Sequence, residues 1–462
     1  MSLQRFNHTT EIDRPSGEVF RWHERPGALE RLTPPWEKIE ILKPSSGVTD
    51  GQRVGLRQKF GPFWLNWEVE HRDYVEGKQF RDVALRAPFP QWEHLHRVVA
   101  GTPAECKLED TLTYSLPGGA LGAWLAGGLV RRKLTQLFAF RHERTVADLT
   151  MAAQYGAVRP MQFLVSGASG FVGKALIPFL RSQGHQVARL VRHRSAAPDE
   201  VYWDPKNGHL DLHRFKALDV VIHLAGASVA RRWSPAVRDE IWNSRVVGTR
   251  VLVDALSKLR HRPFVFVGAS ATGIYGSRGK EELDERSDRG RGFLADVCDA
   301  WEHEVEAVES LGIRPVMMRT GMVLSPAGGA LAELLPWFRK GLGGRLGAGD
   351  QWMSWISIDD LVGAYYHAVL DQRCVHEVNA VAPGAVTNRE FTETLAKVLG
   401  RPAMLPVPRP LLRAALGEMA NDVLLSSARV VPGVLEYSRY HFRHPQLEPA
   451  LRFLLGRPET SR

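Results

Sequence analysis

Three glycines spaced three residues apart give the clearest chemical signal in this chain of 462 residues. Gly167, Gly170 and Gly173 lie between an apolar segment, 163–166, and a run of apolar residues at helical spacing. Such a turn lets the backbone approach a pyrophosphate, and the helix N-terminus offers free N–H groups to its charge. The turn therefore predicts dinucleotide binding; the alternative is a turn that binds nothing. The expected contacts are Gly167, Ser169, Gly170, Phe171, Val172 and Gly173.

Basic residues after the next apolar segment, 187–191, bear on the choice of nucleotide. About twenty residues beyond the glycines, a carboxylate would bind the ribose hydroxyls of NAD. The sequence instead has Arg192, His193 and Arg194 at this point. Positive charge favours the 2′-phosphate of NADP, so we predict NADP with Arg192 as a contact. The alternative is a solvated basic turn.

The elements that must position this turn alternate between strand and helix. Apolar strand-like segments recur at 163–166, 187–191, 220–225, 264–268 and 314–319, with amphipathic segments between them. This alternation predicts an α/β doubly wound parallel sheet, in which ligands bind at the carboxyl ends of the strands.

The first 150 residues lack the glycine turn and are predicted to be α+β. A short helix near residue 15 is followed by five strands with half-buried character, between 53 and 115, and by a long helix, 121–151, broken early at Gly127 and Gly128. His94 and His96 share one strand face, a spacing that fits a metal. Because no further ligand is visible, we predict surface or cavity histidines and no metal site.

Composition limits the remaining possibilities. A content of 44% hydrophobic and 24% charged residues is that of a globular protein, and the length predicts two or three domains. The net charge of +9 is spread thinly, which argues against a nucleic-acid partner. Three scattered cysteines and the lack of a long apolar run predict a cytoplasmic protein without disulfides, signal peptide or membrane span.

Four motifs, GASGFVG, HLAGA, SATGIYG and RTGMVL, carry a family resemblance. Their order and spacing resemble the extended short-chain dehydrogenases/reductases, in which Ser, Tyr and Lys form the active site. The resemblance implies that Ala225 and Gly226 contact the cofactor and that Ser270 is the active-site serine, with Thr272 as an alternative.

The rest of the expected active site is replaced. Alignment of the helix around Glu302 puts Leu294 at the tyrosine position and Cys298 at the lysine position, and Arg245 stands for the usual asparagine. Tyr275 is the nearest tyrosine in the sequence that could supply a phenol in place of the missing one. We therefore name Ser270, Cys298, Arg245 and Tyr275 as catalytic candidates; the alternatives are a structural tyrosine and a cysteine that fills the core.

Those departures, with WDPKNG, GAGDQWMSWISIDDL and the C-terminal tail, resemble an atypical subgroup, the NAD-dependent epimerase-like family with its C-terminal domain of unknown function. Ser357 stands where that subgroup is expected to have histidine, and we expect Asp359 or Asp360 to cap the following helix. The N-terminal order of helix, strands and long helix resembles the helix-grip polyketide cyclase/START-like (SRPBCC) superfamily. That fold implies an apolar cavity, for which the candidate lining residues are Trp36, Trp64, Trp67, Phe89 and Trp92. The alternative is that these aromatic side chains only fill the core.

The predicted architecture is therefore an α+β helix-grip domain (1–152), an NADP-binding Rossmann domain (161–380) and a small C-terminal α/β substrate or lid region (381–455). The predicted function is an NADP-dependent epimerase or reductase acting on a nucleotide sugar or an apolar carbonyl compound. The alternative is a non-catalytic NADP(H)-dependent sensor or scaffold whose N-terminal domain binds a hydrophobic ligand. An oligomer is compatible with the sequence.

Overall fold

The computed structural model describes residues 3–43, 47–213, 215 and 217–457. These residues divide into two compact units. One contains the described residues up to Val158 together with the short segment Pro178–Gly184, and the other contains the rest. The domain boundary predicted at residue 380 stays a prediction.

The N-terminal unit is built on a seven-stranded antiparallel sheet in the order β1-β7-β6-β5-β4-β3-β2. Its elements in chain order are β1 (Leu3–Ile12), α1 (Ser16–Glu24), α2 (Ala28–Arg31), β2 (Ile39–Lys43), β3 (Arg53–Phe60), β4 (Phe63–Val75), β5 (Gln79–Arg86), β6 (Gln91–Ala100), β7 (Cys106–Ser115) and α3 (Gly119–Ala153).

Two predictions for this unit need correction. The long helix is not broken at Gly127 and Gly128: α3 is continuous over 35 residues and includes both glycines. Packing outweighs their low helix propensity, since Ala126 and Val130, on either side of the two glycines, pack against the apolar cluster that contains Phe6. The strand β2 was not predicted.

The predicted cavity-lining aromatic residues do not form one group. Trp67, Phe89 and Trp92 contact one another, with ring centroids 5.0 to 5.7 Å apart. Trp36 instead packs on Phe140, and Trp64 is partly exposed. Three of the five candidates therefore share one apolar cluster, in which the rings fill space against each other.

The second unit contains an eight-stranded sheet in the order β11-β10-β9-β8-β12-β13-β15-β19, parallel except at the β10–β11 edge. The prediction of a parallel α/β sheet is confirmed. Its elements up to the last sheet strand are β8 (Gln162–Ser166), α4 (Phe171–Ser182), β9 (Gln186–Val191), β10 (Glu200–Asp204), β11 (His209–Leu210), β12 (Val220–His223), α5 (Pro235–Ser257), β13 (Val265–Ala271), β14 (Glu282–Leu283), α6 (Phe293–Glu306), β15 (Arg314–Thr320), β16 (Met322–Leu324), α7 (Gly329–Arg339), β17 (Trp352–Met353), β18 (Trp355–Ser357), α8 (Ile358–Leu370) and β19 (His376–Ala380).

The central strands are apolar because both faces of the sheet are covered. One core cluster joins Leu164 and Phe266 of the sheet to Leu252 of α5 and Trp301 of α6. The C-terminal residues continue the same unit as β20 (Val386–Thr387), α9 (Asn388–Leu399), α10 (Arg409–Leu416), β21 (Arg429–Val430), α11 (Gly433–Tyr437) and α12 (Leu447–Leu454). None of the helices in the described residues is both long and apolar enough to cross a membrane.

Candidate functional site

The glycine turn lies at the carboxyl end of β8 and requires glycine at its first position. Gly167 has a φ of 67°, in the left-handed region. A Cβ there would lie 2.7 Å from the carbonyl carbon of Leu224, on the loop after β12. The backbone of the turn therefore packs directly against the backbone of the loop after β12.

Gly173 fixes the approach of helix α4 to the turn. A Cβ on Gly173 would lie 2.5 Å from the carbonyl oxygen of Gly167. The N–H of Gly170 donates to that same oxygen at 2.9 Å, and Ser169 and Gly170 are exposed. Helix α4 begins at Phe171, so its first N–H groups lie beside the exposed turn. The helix can approach the turn this closely because residue 173 has no side chain. This cradle fits a dinucleotide pyrophosphate.

A buried hydrogen-bond network ties the turn to the next strand. The Ser166 hydroxyl accepts the N–H groups of Leu224 and Ala225, at 3.0 and 3.2 Å, and contacts Nδ1 of His223 at 2.7 Å. Burial, aided by the charge of Arg245, lowers the pKa of His223 to about 3. A neutral imidazole accepts the serine proton, so this pair holds the start of the HLAGA loop. No local pattern in the sequence indicates this contact, because Ser166 and His223 are 57 residues apart.

The basic residues predicted to select NADP lie at the same edge of the sheet. Arg192 is exposed directly after β9, the parallel neighbour of β8. Of its neighbours, His193 lies 3.5 Å from a carboxylate oxygen of Glu200, and Arg194 stacks over Tyr202. Arg192 therefore lies at the carboxyl end of the strand next to the glycine turn, where the 2′-phosphate contact was predicted.

Ser270 lies near the end of β13 and donates its hydroxyl proton to a buried carboxylate. Its Oγ is 2.5 Å from Oε1 of Glu302, which lies on α6. Arg319 on β15 forms an ion pair with the same carboxylate, with Nη2 to Oε2 at 2.8 Å. Burial lowers the pKa of Arg319, but the contacts with Glu302 outweigh it and raise that pKa above its usual value. The hydroxyl of Ser270 is thus oriented by an ionised pair.

Tyr275 belongs to the same polar chain but is fully buried. Its hydroxyl donates to Oδ1 of Asn379 at 2.7 Å and accepts from Nη1 of Arg319 at 3.1 Å. Burial raises its pKa to about 12 even though Arg319 opposes this. These contacts favour the structural alternative for Tyr275, because the phenol is held between two protein groups.

The two residues that replace Tyr and Lys lie together. A Cβ on Gly273 would be 3.4 Å from Cβ of Leu294 and 4.0 Å from Sγ of Cys298, so both side chains face the turn after β13. Burial, with the charge of Glu302 adding to it, raises the pKa of the Cys298 thiol to about 12. A protonated thiol beside leucine offers neither a ready base nor a cation.

Arg245 reaches the loop after β12. Its Nη1 donates to the carbonyl of Ala227 at 3.0 Å, and its guanidinium lies over Trp301. A Cβ on Gly226 would lie 3.0 Å from the guanidinium carbon. The arginine therefore braces the loop that carries Ala225 and Gly226, both predicted to contact the cofactor.

The cap of α8 is Ser357, so the prediction that Asp359 or Asp360 caps this helix was wrong. The Ser357 hydroxyl accepts the N–H of Asp360 at 3.0 Å. Asp360 is fully buried and accepts the backbone N–H groups of Arg443 and His444. The ring of His444 also contacts Ser357, Nδ1 to Oγ at 3.2 Å, so the C-terminal segment supplies an imidazole beside this serine.

Family models match most of the second unit. The NAD dependent epimerase/dehydratase family matches residues 163–380, and a domain of unknown function, DUF1731, matches residues 407–454. An epimerase family protein of Mycobacterium tuberculosis is 39% identical over 295 residues, which are 64% of this chain and 97% of that protein.

Two solved structures are similar. One, described as the nucleoside-diphosphate sugar epimerase from Corynebacterium glutamicum, is 31% identical, with 98% of this chain and 90% of that chain covered and a TM-score of 0.80. The other is human epimerase family protein SDR39U1 (isoform 2) with NADPH, 32% identical, with 64% of this chain and 99% of that chain covered and a TM-score of 0.58.

Proposed function

Because the chain belongs to the epimerase family, we propose that it is an NADP-dependent epimerase or oxidoreductase acting on a nucleotide sugar or an apolar carbonyl compound. The glycine turn would hold NADP(H), which would supply or accept the hydride. The human relative solved with NADPH and the position of Arg192 support NADP as the cofactor.

The contact between Ser270 and Glu302 carries this proposal. The single hydroxyl proton of Ser270 is directed at the carboxylate, so Oγ can only accept further hydrogen bonds. The Cys298 thiol contacts the same hydroxyl, and the second lone pair of Oγ remains available. Ser270 Oγ can therefore accept a hydrogen bond from a substrate hydroxyl. When that hydroxyl is oxidised, its proton passes to Ser270 as the serine proton passes to Glu302, with Arg319 supplying the countercharge.

The test is turnover by the full chain with matched variants. Purified protein is titrated with NADPH and then assayed for NADP(H) turnover on a panel of nucleotide sugars and apolar ketones and alcohols. We expect Ser270→Ala to lower kcat by about 100-fold or more, the range of a lost proton-transfer group, with NADPH binding retained. Cys374→Ala, at a buried cysteine of the same unit that contacts Ser438, is the control and should leave kcat within a few-fold. Equal effects of the two substitutions would refute the role of Ser270.

A second candidate function is an NADP(H)-dependent sensor or scaffold without turnover. The observation in its favour is the pair Leu294 and Cys298, which offers no ionised group where the extended reductases place Tyr and Lys. Tight NADPH binding with no turnover of any compound, and no effect of Ser270→Ala on any measured property except stability, would support this second function.

We also propose that the N-terminal unit is a helix-grip, START-like domain that binds an apolar ligand. Its seven-stranded antiparallel sheet and the long helix α3 against β1 support this. The rings of Trp67, Phe89 and Trp92, which fill space against each other, would separate to admit the ligand. The test measures the binding of a fatty acid probe to the full chain, with tryptophan fluorescence as the readout. We expect Trp92→Leu to weaken this binding. The exposed-site variant Trp124→Leu is the control. Absence of saturable binding would contradict the proposal.

A further inference from the structure

A row of titratable side chains crosses the sheet of the N-terminal unit. The strand register places His71 of β4 opposite Asp82 of β5, and Asp82 opposite His94 of β6. Two residues further along, His96 of β6 lies opposite Asp110 of β7. Because alternate residues of a strand share a face, these side chains lie on one side of the sheet.

The groups are in direct contact. Nε2 of His96 is 3.4 Å from Oδ2 of Asp82, and Nδ1 of the same ring is 2.8 Å from Oδ1 of Asp110. Asp82, His94 and His96 each offer one ligand atom, and these three atoms lie within 4.8 Å of one another. Ligands at about 2.0 to 2.2 Å from a shared ion are about 3 to 4 Å apart, so small side-chain rotations bring the three into range.

The cluster is buried, yet it has a solvent-facing side. His94 and His96 are 3% and 8% exposed, and Asp110 is 4% exposed. The side chain of Asp82 is 21% exposed and borders solvent. The buried carboxylate of Asp110 and the largely buried carboxylate of Asp82 require positive charge nearby, which either protonated histidines or a bound dication supplies. The exposed edge of Asp82 offers an ion a route of entry.

We propose that Asp82, His94 and His96 bind a divalent first-row transition-metal ion. Two imidazoles and one carboxylate are the donor set of zinc and non-haem iron sites, whereas Mg²⁺ and Ca²⁺ prefer oxygen ligands alone. Three protein ligands leave coordination positions for water or a small ligand.

Further residues are placed to orient these ligands. Asp110 contacts both His94, at 2.9 Å from Nε2, and Nδ1 of His96. His71 holds the other oxygen of Asp82, with Nδ1 at 2.6 Å from Oδ1. Carboxylates that hold the second nitrogen of a ligating histidine fix its orientation, and Asp110, hydrogen-bonded to Nε2 of His94, is placed to do so for His94.

The test is metal uptake by the full chain, prepared without an affinity tag or chelator. Elemental analysis of the purified protein is followed by chelator treatment and calorimetric titration with Zn²⁺, and with Fe²⁺ under anaerobic conditions. We expect about one ion per chain, and a loss of affinity of at least about 10-fold in Asp82→Asn and in His94→Gln.

A matched control comes from the exposed group Glu306, Glu309 and His376, whose atoms also lie close together. Glu309→Gln should leave the titration unchanged. Binding that is lost in Glu309→Gln but kept in Asp82→Asn would overturn the proposal, as would no uptake of either ion by the folded wild-type chain.

A measurement on the wild-type chain alone covers the case in which the buried variants fail to fold. Co²⁺ in a four- or five-coordinate site containing imidazole absorbs strongly in the visible range, and added Zn²⁺ should remove this absorption. A weak spectrum typical of six oxygen ligands would overturn the proposal.

Discussion

The substitution Gly173→Ala isolates the effect of one close contact at the glycine turn, which we predict to bind the cofactor. The new Cβ would lie 2.5 Å from the carbonyl oxygen of Gly167, 2.8 Å from Cα of Ala168 and 2.9 Å from its carbonyl oxygen. Ordinary contact begins at 3.4 Å, and all three atoms belong to the backbone. Since Gly173 is not among the residues with positive φ, the substitution adds a steric clash without backbone strain.

Relief of this clash requires α4 to move away from the turn by nearly 1 Å, judged from the shortest contact. Overpacking of this kind costs about 1 to 3 kcal/mol. If the whole cost falls on the conformation that binds NADPH, the Kd rises by about 5- to 150-fold.

The assay is a fluorescence titration with NADPH, together with the thermal unfolding midpoint measured with and without nucleotide. Gly170→Ala is the matched control, because its Cβ would lie 3.2 Å from the Gly167 oxygen at an exposed position. It should weaken binding less than Gly173→Ala does. Wild-type affinity in Gly173→Ala would refute the assignment of this turn to the dinucleotide.

Four further predictions concern other parts of the chain. Gly128→Ala should raise the free energy of unfolding by about 0.5 to 1 kcal/mol in urea titrations, because its Cβ meets no atom within 4 Å and the site is inside α3; a loss of stability would show that the helix breaks there. Arg192→Ala should weaken NADPH binding at least about 10-fold more than NADH binding, and equal losses would remove its phosphate role. Tyr275→Phe should destabilise the chain by about 1 to 3 kcal/mol, since two buried partners lose their hydrogen bond; unchanged stability would contradict the structural role. The pKa of His223 is lowered from 6.5 to about 3, so the folded chain binds fewer protons than the unfolded chain in this window and stability should fall as the pH drops through it. The slope of unfolding free energy against pH should be smaller in His223→Gln, and an identical slope would contradict a neutral buried imidazole.

The sequence by itself determined the parallel α/β sheet of the second unit and the position of its glycine turn. The periodicity of strands and helices is a local property of the sequence. The same is true of the glycines that allow two backbone segments to come close. The resemblance to the extended reductases further implied that Leu294 and Cys298 replace the usual Tyr and Lys. The break predicted in α3 is absent because helix propensity has less influence than the packing of the helix on the sheet.

Only the tertiary structure decided which distant side chains meet. Glu302 and Arg319 belong to α6 and β15, and their contact with Ser270 depends on how that helix packs on the sheet. His444 reaches Ser357 across 87 residues of chain. In the N-terminal unit, His94 and His96 were visible as a pair, but the carboxylate beside them comes from β5 through strand register. Register is set by the whole sheet and its loops, so no local pattern in the sequence reveals which residue will lie opposite another.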